Sequence, residues 1–554
     1  MGNKAVEKQN NILNQSTRNS DPAEGKALII GGGEYAATLA QAFLKENIRP
    51  VILAPPEHPA RAGARTAFDF AETIFGEALF CHGGAGRFTI SIDSAGKKKS
   101  LCASVVILAK ETRRLPLFES HGIKENPRAI SLSAAVSDSG RLADAENIVF
   151  MVGLKQESDP VIFEEIADIC LDLLPPSDDL PPPKKKIYIF AGNLKVAENH
   201  LESLYRQTRR QGAVYFKFTK NPPKISQGAD GRVLFQGVDE STRLPFVISP
   251  DMTVVDEMIV PSPDFKALSR RMGLEMDENG FIQGDNVHRF SVRTNRKGIF
   301  AAGPARKIQG ADGDARDAAL ALSHSRRVIQ RMASDSKNRE NDGPTAEINP
   351  GSCVFCLTCL RSCPHGAVEL APNPTIIKEA CEGCGACRSL CPGNAISMTG
   401  LDEGAADSKI KETRLNPPDH LPVIASFCCA RSGAAALESA LAAGQPLPRG
   451  LALITLPCAA AISVESIYSA FKNGADGVLI LSCHDGNCHS GKGHALARER
   501  ADYAADFFKK IKMDPKRIKT ASLASNMAGA GLKILTDFEQ FLMTAGRFSN
   551  QKKQ

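Results

Sequence analysis

From residue 353 the chain reads Cys353-x-x-Cys356-x-x-Cys359-x-x-x-Cys363-Pro364, and the pattern returns as Cys381-x-x-Cys384-x-x-Cys387-x-x-x-Cys391-Pro392. Two-residue gaps let a tight loop wrap three thiolates round one iron–sulfur cube. The fourth cysteine, just before proline, reaches across to the other cube. The spacing therefore predicts two [4Fe–4S] clusters, one on Cys353, Cys356, Cys359 and Cys391 and one on Cys381, Cys384, Cys387 and Cys363. CPHGAVEL and CPGNAISM are the same turn-then-strand written twice. Structural zinc would instead call for cysteine pairs separated by longer spacers.

The remaining cysteines divide in two. Cys81, Cys102 and Cys170 are scattered through the first half and read as core thiols, while Cys428, Cys429, Cys458, Cys483 and Cys488 follow the ferredoxin-like block. Disulfides suit small secreted domains, but residues 1–25 are polar, have no signal-peptide core and are expected to form a disordered tail. No run approaches eighteen apolar residues, so no membrane span is expected. The thiols suit a reducing compartment, and the expected location is cytoplasmic, or peripheral at the inner face of a membrane through a partner. A net charge of +6 over 554 residues is too mild to mark a nucleic-acid binder, and the lack of tryptophan argues against a stacking platform.

That length allows three or four domains. KALIIGGGEYAATLAQAFLKENIRPVILAP reads as strand, glycine turn, helix and strand, opening a Rossmann-like domain over 26–180. A second α/β unit is expected over 185–330, starting with the strand KIYIF after a proline-rich joint at 173–186. A polar linker over 333–347 leads to the ferredoxin-type α+β insert at 348–400. A last α/β domain is expected over 421–548. Gly31, Gly33 and Ala36 fit G-x-G-x-x-A, in which small residues let backbone approach a pyrophosphate at a helix N-terminus. The acid that would hold the ribose is missing, for VILAPP carries Pro55 there and Glu57 comes late. SLCASVVILAK (100–110) reads as one buried strand, and TVVDEMIV as another. KIYIF runs into AGNLKVAENH, which is not a glycine fingerprint, so no nicotinamide site is expected there.

In the last domain Cys428-Cys429, Cys458 and the CHDGNCH stretch bearing Cys483 and Cys488 each follow an apolar strand. Strand C-termini of an open α/β sheet lie along one edge, so these groups should converge, and four thiolates there can hold a [2Fe–2S] cluster. His484, His489 and His494 read as solvent-exposed loop histidines. FCCARSG, LPCAA and FKNGADGVLILSCHDGNCH resemble the delta subunit of methyl-viologen-reducing hydrogenase, over about residues 421–545. That family usually carries a third cysteine in the first group, where this chain has Ser432, so whether Cys428 or Cys429 ligates stays open.

LESLYRQTRRQGAVYFKF, RMGLEMDENGF and TNRKGIFAAG, in that order, resemble the flavoprotein body of the heterodisulfide reductase A family. The resemblance implies flavin adenine dinucleotide, with the GIFAAG strand returning to the flavin and Gly303 near its phosphates or ribitol. The family's two A-T-G closures appear here as Ala109-Lys110-Glu111 and Asp256-Glu257-Met258, and its cysteine-bearing insertion is absent. The whole arrangement is similar to fused heterodisulfide reductase A-like proteins and to the B subunit of quinone-interacting membrane-bound oxidoreductases. It implies an electron-transfer subunit of an oxidoreductase, relaying electrons between heterodisulfide reductase-like, hydrogenase or quinone-side membrane subunits. No catalytic acid, base or nucleophile stands out. The alternatives are an iron–sulfur adapter whose flavin fold serves only for docking and, from another class, a zinc-bearing binding protein.

Overall fold

The computed structural model describes residues 25–56, 70–174, 185–192, 200–285, 291–333, 344–370, 372–401, 404–415 and 421–548. Most of the expected tail, Glu57, most of the proline-rich joint, residues 193–199 of AGNLKVAENH and most of the linker lie outside them. The chain divides into two compact units. One comprises Met1–Ala109, Lys266–Ala302 and Ala319–Gln554, the other Lys110–Phe265 and Gly303–Ala318.

The first unit opens with β1 (Lys26–Ile30), helix α1 (Glu34–Lys45), β2 (Arg49–Ala54) and β3 (Glu72–Phe75). An antiparallel sheet of β4 (Glu77–Gly84), β5 (Arg87–Ser94) and β6 (Lys97–Ala103) follows, then β7 (Val105–Leu108). The parallel sheet β18-β7-β1-β2-β3 is completed by β18 (Ile299–Ala301), within GIFAAG. The single strand expected over 100–110 is thus two. Buried Ser104 divides them: its N–H bonds Lys26 and its carbonyl accepts from Gly86, so the chain passes from one sheet to the other.

In the second unit β8 (Arg113–Pro116), β9 (Ala129–Ser131), β10 (Asn147–Val152) and helix α2 (Pro160–Leu173) precede β11 (Lys186–Ala191), helix α3 (Leu201–Arg210) and β12 (Val214–Lys217). After the hairpin strands β13 (Lys224–Gln227), β14 (Val233–Val238) and β15 (Pro245–Ile248) come β16 (Met252–Val255) and β17 (Glu257–Val260). The parallel order is β12-β11-β10-β16-β9. This corrects the boundary expected near 180: β9, β10 and α2 belong here, because β10, apolar on both faces, pairs in parallel with both β11 and β16. TVVDEMIV is likewise two strands. Asp256 separates them, and β17 turns away to pair antiparallel with β8.

The ferredoxin-like block, within the first unit, has two small antiparallel pairs: β19 (Ala346–Ile348) with β22 (Ile396–Met398), and β20 (Val368–Leu370) with β21 (Pro374–Ile376). Each cysteine loop ends in a short helical turn, Thr358–Ser362 or Ala386–Ser389. The last domain is a parallel sheet of order β24-β23-β25-β26, built from β23 (Ile424–Cys429), β24 (Leu451–Leu456), β25 (Gly477–Ser482) and β26 (Ile518–Ser522). Helices α4 (Ala435–Ala442), α5 (Val464–Lys472), α6 (Gly493–Lys510) and α7 (Ala528–Ala545) cover it. Among the described residues no helix is long and apolar enough to cross a membrane.

Candidate iron–sulfur sites

Cys363, Cys381, Cys384 and Cys387 line one small enclosed space with Ala346, Val368, Ile376 and Met398. This is the second of the two cysteine sets expected from the spacing. The Ala367 N–H points at Cys363 Sγ at 3.3 Å and the Ala346 N–H at Cys381 Sγ at 3.5 Å. Backbone amides aimed at sulfur stabilise thiolate charge and help set cluster potentials. Without metal, burial pushes the Cys384 thiol up to about 11 and raises that of Cys387. The set is therefore costly to ionise alone and suited to a cation that replaces the protons.

The other set is more open. Cys356 is exposed and Cys353, Cys359 and Cys391 are half-buried. The loop between them bends through Phe355 and Leu357, both in the left-handed region (φ 59° and 58°). Gly393, beyond Cys391, packs against the Ser352 carbonyl and Val354, which brings the distant fourth cysteine to the loop of the first three. Ala395 donates its N–H to Cys391 Sγ at 3.3 Å. The Thr358 hydroxyl lowers the Cys356 thiol.

The last domain gathers its thiols at the C-terminal sheet edge. Cys429 ends β23, Cys458 follows β24, and Cys483 follows β25. Cys429, Cys458, Cys483 and Cys488 are each at most 7% exposed. Their sulfurs gather in a ring round one cavity, with Cys429 Sγ 3.7 Å from Cys483 Sγ. Sharing protons around the ring raises the Cys458 and Cys483 thiols and lowers those of Cys429 and Cys488. Among the described residues no group of three or more His, Cys, Asp or Glu side chains is placed to hold a metal ion as it stands. Cys428 is not in the ring. It faces the other side of the sheet, beside Ser426 at 3.3 Å, within a different core cluster.

Three further features surround the ring. Helix α6 begins at Gly493, where a Cβ would lie 2.5 Å from Cys458 Sγ and 3.1 Å from Cys488 Sγ. The helix start thus lies against both sulfurs, where its free N–H groups favour negative charge. Cys483 Sγ lies 3.4 Å from the hydroxyl of Ser432, brought in by a wide π turn over Ala430–Ala434. Sequence reasoning placed the histidines in solvent, and the structure corrects this for His489 and His494, which are buried at 9% and 8% exposure. His489 Nε2 lies 3.4 Å from Glu382 in the ferredoxin-like block, and His494 pairs with Asp485 at 3.0 Å. Packing against another module buries His489, and loop composition carries no sign of that.

The two cysteine assemblies meet at one cavity of about 440 Å³, lined by Cys384 from the ferredoxin-like block and by Cys429, Cys458, Cys483 and Cys488. Ser389 donates to the Ala460 carbonyl at 2.7 Å, fastening the Ala386–Ser389 turn to the loop after Cys458.

The glycine turn keeps part of its expected shape. Gly31 has no room for a side chain, since a Cβ would lie 2.2 Å from the Ala109 carbonyl oxygen, and it packs close to Ala36. Gly33 caps α1 with no side-chain bond. Gly303 (φ 59°) starts a short turn and donates its N–H to Asp317 at 3.0 Å. In the second unit Gly153 follows the central strand β10, the place where a dinucleotide fold receives phosphate. There buried Asp256 accepts the Gly153 N–H at 2.8 Å and pairs with His121 at 3.1 Å, so a carboxylate already holds that amide. Cys81 and Cys170 are buried as expected for core thiols, and Cys102 is half-buried.

Residues 424–546 match the family described as methyl-viologen-reducing hydrogenase, delta subunit, and residues 346–369 and 374–397 match the 4Fe-4S binding domain. The chain is 23% identical over 373 residues to the A component of the ferredoxin:CoB-CoM heterodisulfide reductase of Methanosarcina mazei, covering 67% of this chain and 46% of that protein. It thus spans about half the length of the curated relatives it first matches. Its C-terminal part is 30% identical over 97 residues to the iron-sulfur D component of the F420-non-reducing hydrogenase vhc of Methanococcus voltae, covering 18% of this chain and 67% of that one. A thioredoxin reductase structure from Lactococcus lactis aligns with a TM-score of 0.36 at 15% identity, over 55% of this chain and 99% of that one. The chain belongs, through residues 424–546, to the methyl-viologen-reducing hydrogenase delta-subunit family, joined here to a ferredoxin module with two 4Fe-4S motifs and a heterodisulfide reductase A-like body.

Proposed function

We propose that this chain is an iron–sulfur electron-transfer subunit that relays electrons between partner subunits of a heterodisulfide reductase-like or quinone-interacting redox complex. The observation that carries the reading is the shared cavity: Cys384 of one cysteine assembly and the Cys429, Cys458, Cys483 and Cys488 ring of the other face the same space. Bound there, the clusters supply one-electron carriers, and the protein contributes spacing, burial and hydrogen bonds to sulfur. Cys353, Cys356, Cys359 and Cys391 would hold the first cube, and Cys363, Cys381, Cys384 and Cys387 the second. The ring residues would hold a [2Fe–2S] cluster, with Cys429 as fourth ligand and Cys428 outside it. The exposure of Cys356 makes the first cube the natural port to a partner.

Flavin adenine dinucleotide is assigned to the turn of Gly31, Gly33 and Ala36, at the N-terminus of α1, where backbone N–H groups favour a pyrophosphate. The Asp256 carboxylate on the Gly153 amide supports the absence of a nicotinamide site in the second unit, since a second anion there would be repelled. The partners proposed are other redox subunits, among them hydrogenase-type and membrane-bound quinone-side ones. Purification without oxygen, with iron, acid-labile sulfide and flavin measured per chain, tests the assignment: about ten irons with equal sulfide support it, and stoichiometric zinc with little sulfide refutes it.

A further inference from the structure

One buried cation stands beside the second ferredoxin set without a carboxylate to answer it. Arg296, in the TNRKGIFAAG segment, is 5% exposed and forms no ion pair among the described residues. Its guanidinium donates to backbone carbonyls, Nη1 to Met272 at 2.7 Å and Cys81 at 3.1 Å and Nη2 to Gly83 at 3.2 Å. Nε is buried with no partner. Both cysteine turns of the set come to this side chain. Gly366, three residues after Cys363, is left-handed (φ 61°), and a Cβ on it would lie 3.1 Å from Arg296 Nε. The next residue, Ala367, aims its N–H at Cys363 Sγ at 3.3 Å. Gly84, next to the Gly83 whose carbonyl holds Arg296, packs against Ala380, where a Cβ would lie 2.7 Å from the amide nitrogen, and Cys381 follows. Asn295 ties the same turn down, its Nδ2 donating to the Pro364 carbonyl at 2.6 Å and its own carbonyl bonded to His365 Nδ1.

We propose that Arg296 is the buried counter-charge of the second cube and holds its reduction potential up. A buried guanidinium bonded to carbonyls alone is costly unless negative charge lies near. The thiolates of Cys363, Cys381, Cys384 and Cys387 supply that charge once they hold a cube. Each electron that the cube accepts adds one more negative charge, so its attraction to Arg296 is stronger in the reduced state than in the oxidised one. Arg296 itself gives up neither electron nor proton. The first cube has no such neighbour: Arg361, whose Nη2 reaches the Cys356 carbonyl at 2.7 Å, is exposed, and water screens its charge. The proposal rests on reading Cys363, Cys381, Cys384 and Cys387 as the ligands of one [4Fe–4S] cluster.

The test uses the full chain, purified without oxygen, as wild type, R296M, R296Q and R296K. Dithionite titration followed by electron paramagnetic resonance reads each potential, the second cube being the signal that Cys384→Ser removes. With iron and sulfide unchanged, R296M should make the second cube about tenfold harder to reduce, a fall of about 59 mV for one electron. The first cube should not move, and R296K, which keeps the charge, should restore most of the loss. An unmoved second cube in R296M, an equal shift in both cubes, or a shift in R296K as large as in R296M overturns the proposal. If R296M does not fill the second cube, R296Q, which keeps donors for the carbonyls, is titrated under the same criteria. Filling in R296K but in neither neutral variant supports a demand for charge, whereas loss of the cube in all three makes Arg296 a clamp on the backbone and overturns the proposal. A wild type with fewer than two [4Fe–4S] signals would instead sink the ligand reading beneath it.

Discussion

The ferredoxin-like block and the C-terminal ring gather thiols in opposite ways. In the block, six of the eight cysteines lie on two short loops, and the core beneath consists of Ala346, Ile396 and Met398 with partly buried neighbours. In the ring, the thiols come from three strand ends and one loop, over a sheet with extensive cores on both faces. Local spacing makes a cage that needs little fold but depends on the metal to hold it. A sheet edge makes a cage that the fold holds by itself.

The largest expected effect follows from that contrast. Removing iron by chelation should unfold residues 346–398, because two small hairpins cannot bury enough apolar surface alone. The sheet over 424–546 should persist. Hydrogen exchange followed by mass spectrometry would read this as loss of protection confined to the block. Equal loss in both regions would erase the distinction.

Substitution of single ligands sharpens it. Cys384→Ser should remove one cube and leave the other partly intact, whereas Cys458→Ala, Cys483→Ala or Cys488→Ala should each abolish the same [2Fe–2S] signal. Within the adjacent pair, Cys429→Ala should abolish that signal too, while Cys428→Ala should keep it and cost only about 1 kcal/mol of stability from lost packing. Retention of the signal in Cys429→Ala with its loss in Cys428→Ala would reverse the ring assignment.

A smaller effect is expected at Gly493→Ala, whose methyl would press on Cys458 and Cys488. Iron in the C-terminal site should fall while both cubes fill normally. Smallest is Ser432→Ala, which removes the hydroxyl beside Cys483. All iron should remain, and only the [2Fe–2S] potential should move downward, as read by redox titration. A shift in either cube potential would mean that the hydroxyl acts elsewhere.

The same contrast accounts for what the sequence made legible. Equal two-residue gaps announce the ferredoxin sets because every distance involved is local. Convergence of Cys429, Cys458, Cys483 and Cys488 was readable because apolar strands precede them and strand ends share an edge. The choice between Cys428 and Cys429 was also readable, through the two-residue period of a strand: Val423, Ala425, Phe427 and Cys429 share one face with the other ring cysteines, while Ile424 and Cys428 share the opposite one. The burial of His489 was not, since it arises from packing against Glu382, more than a hundred positions away. Nor was the chain's interleaving. Val105–Leu108 and Ile299–Ala301 are adjacent strands of one sheet, and the long excursion between them builds the second unit. Short apolar runs such as SLCASVVIL hide a switch of sheet, because both halves are equally buried strand and only the hydrogen bonds of Ser104 mark the break.

The relay itself is tested most directly by a redox titration of the full chain, purified without oxygen and followed by electron paramagnetic resonance. Dithionite should develop two [4Fe–4S] signals and one [2Fe–2S] signal, with spin coupling between the second cube and the [2Fe–2S] cluster that vanishes in Cys458→Ala, and NADH or NADPH alone should develop none of them. Three signals without coupling, or rapid reduction of the clusters by NADH in protein free of other subunits, would contradict a relay whose two cysteine assemblies share one cavity.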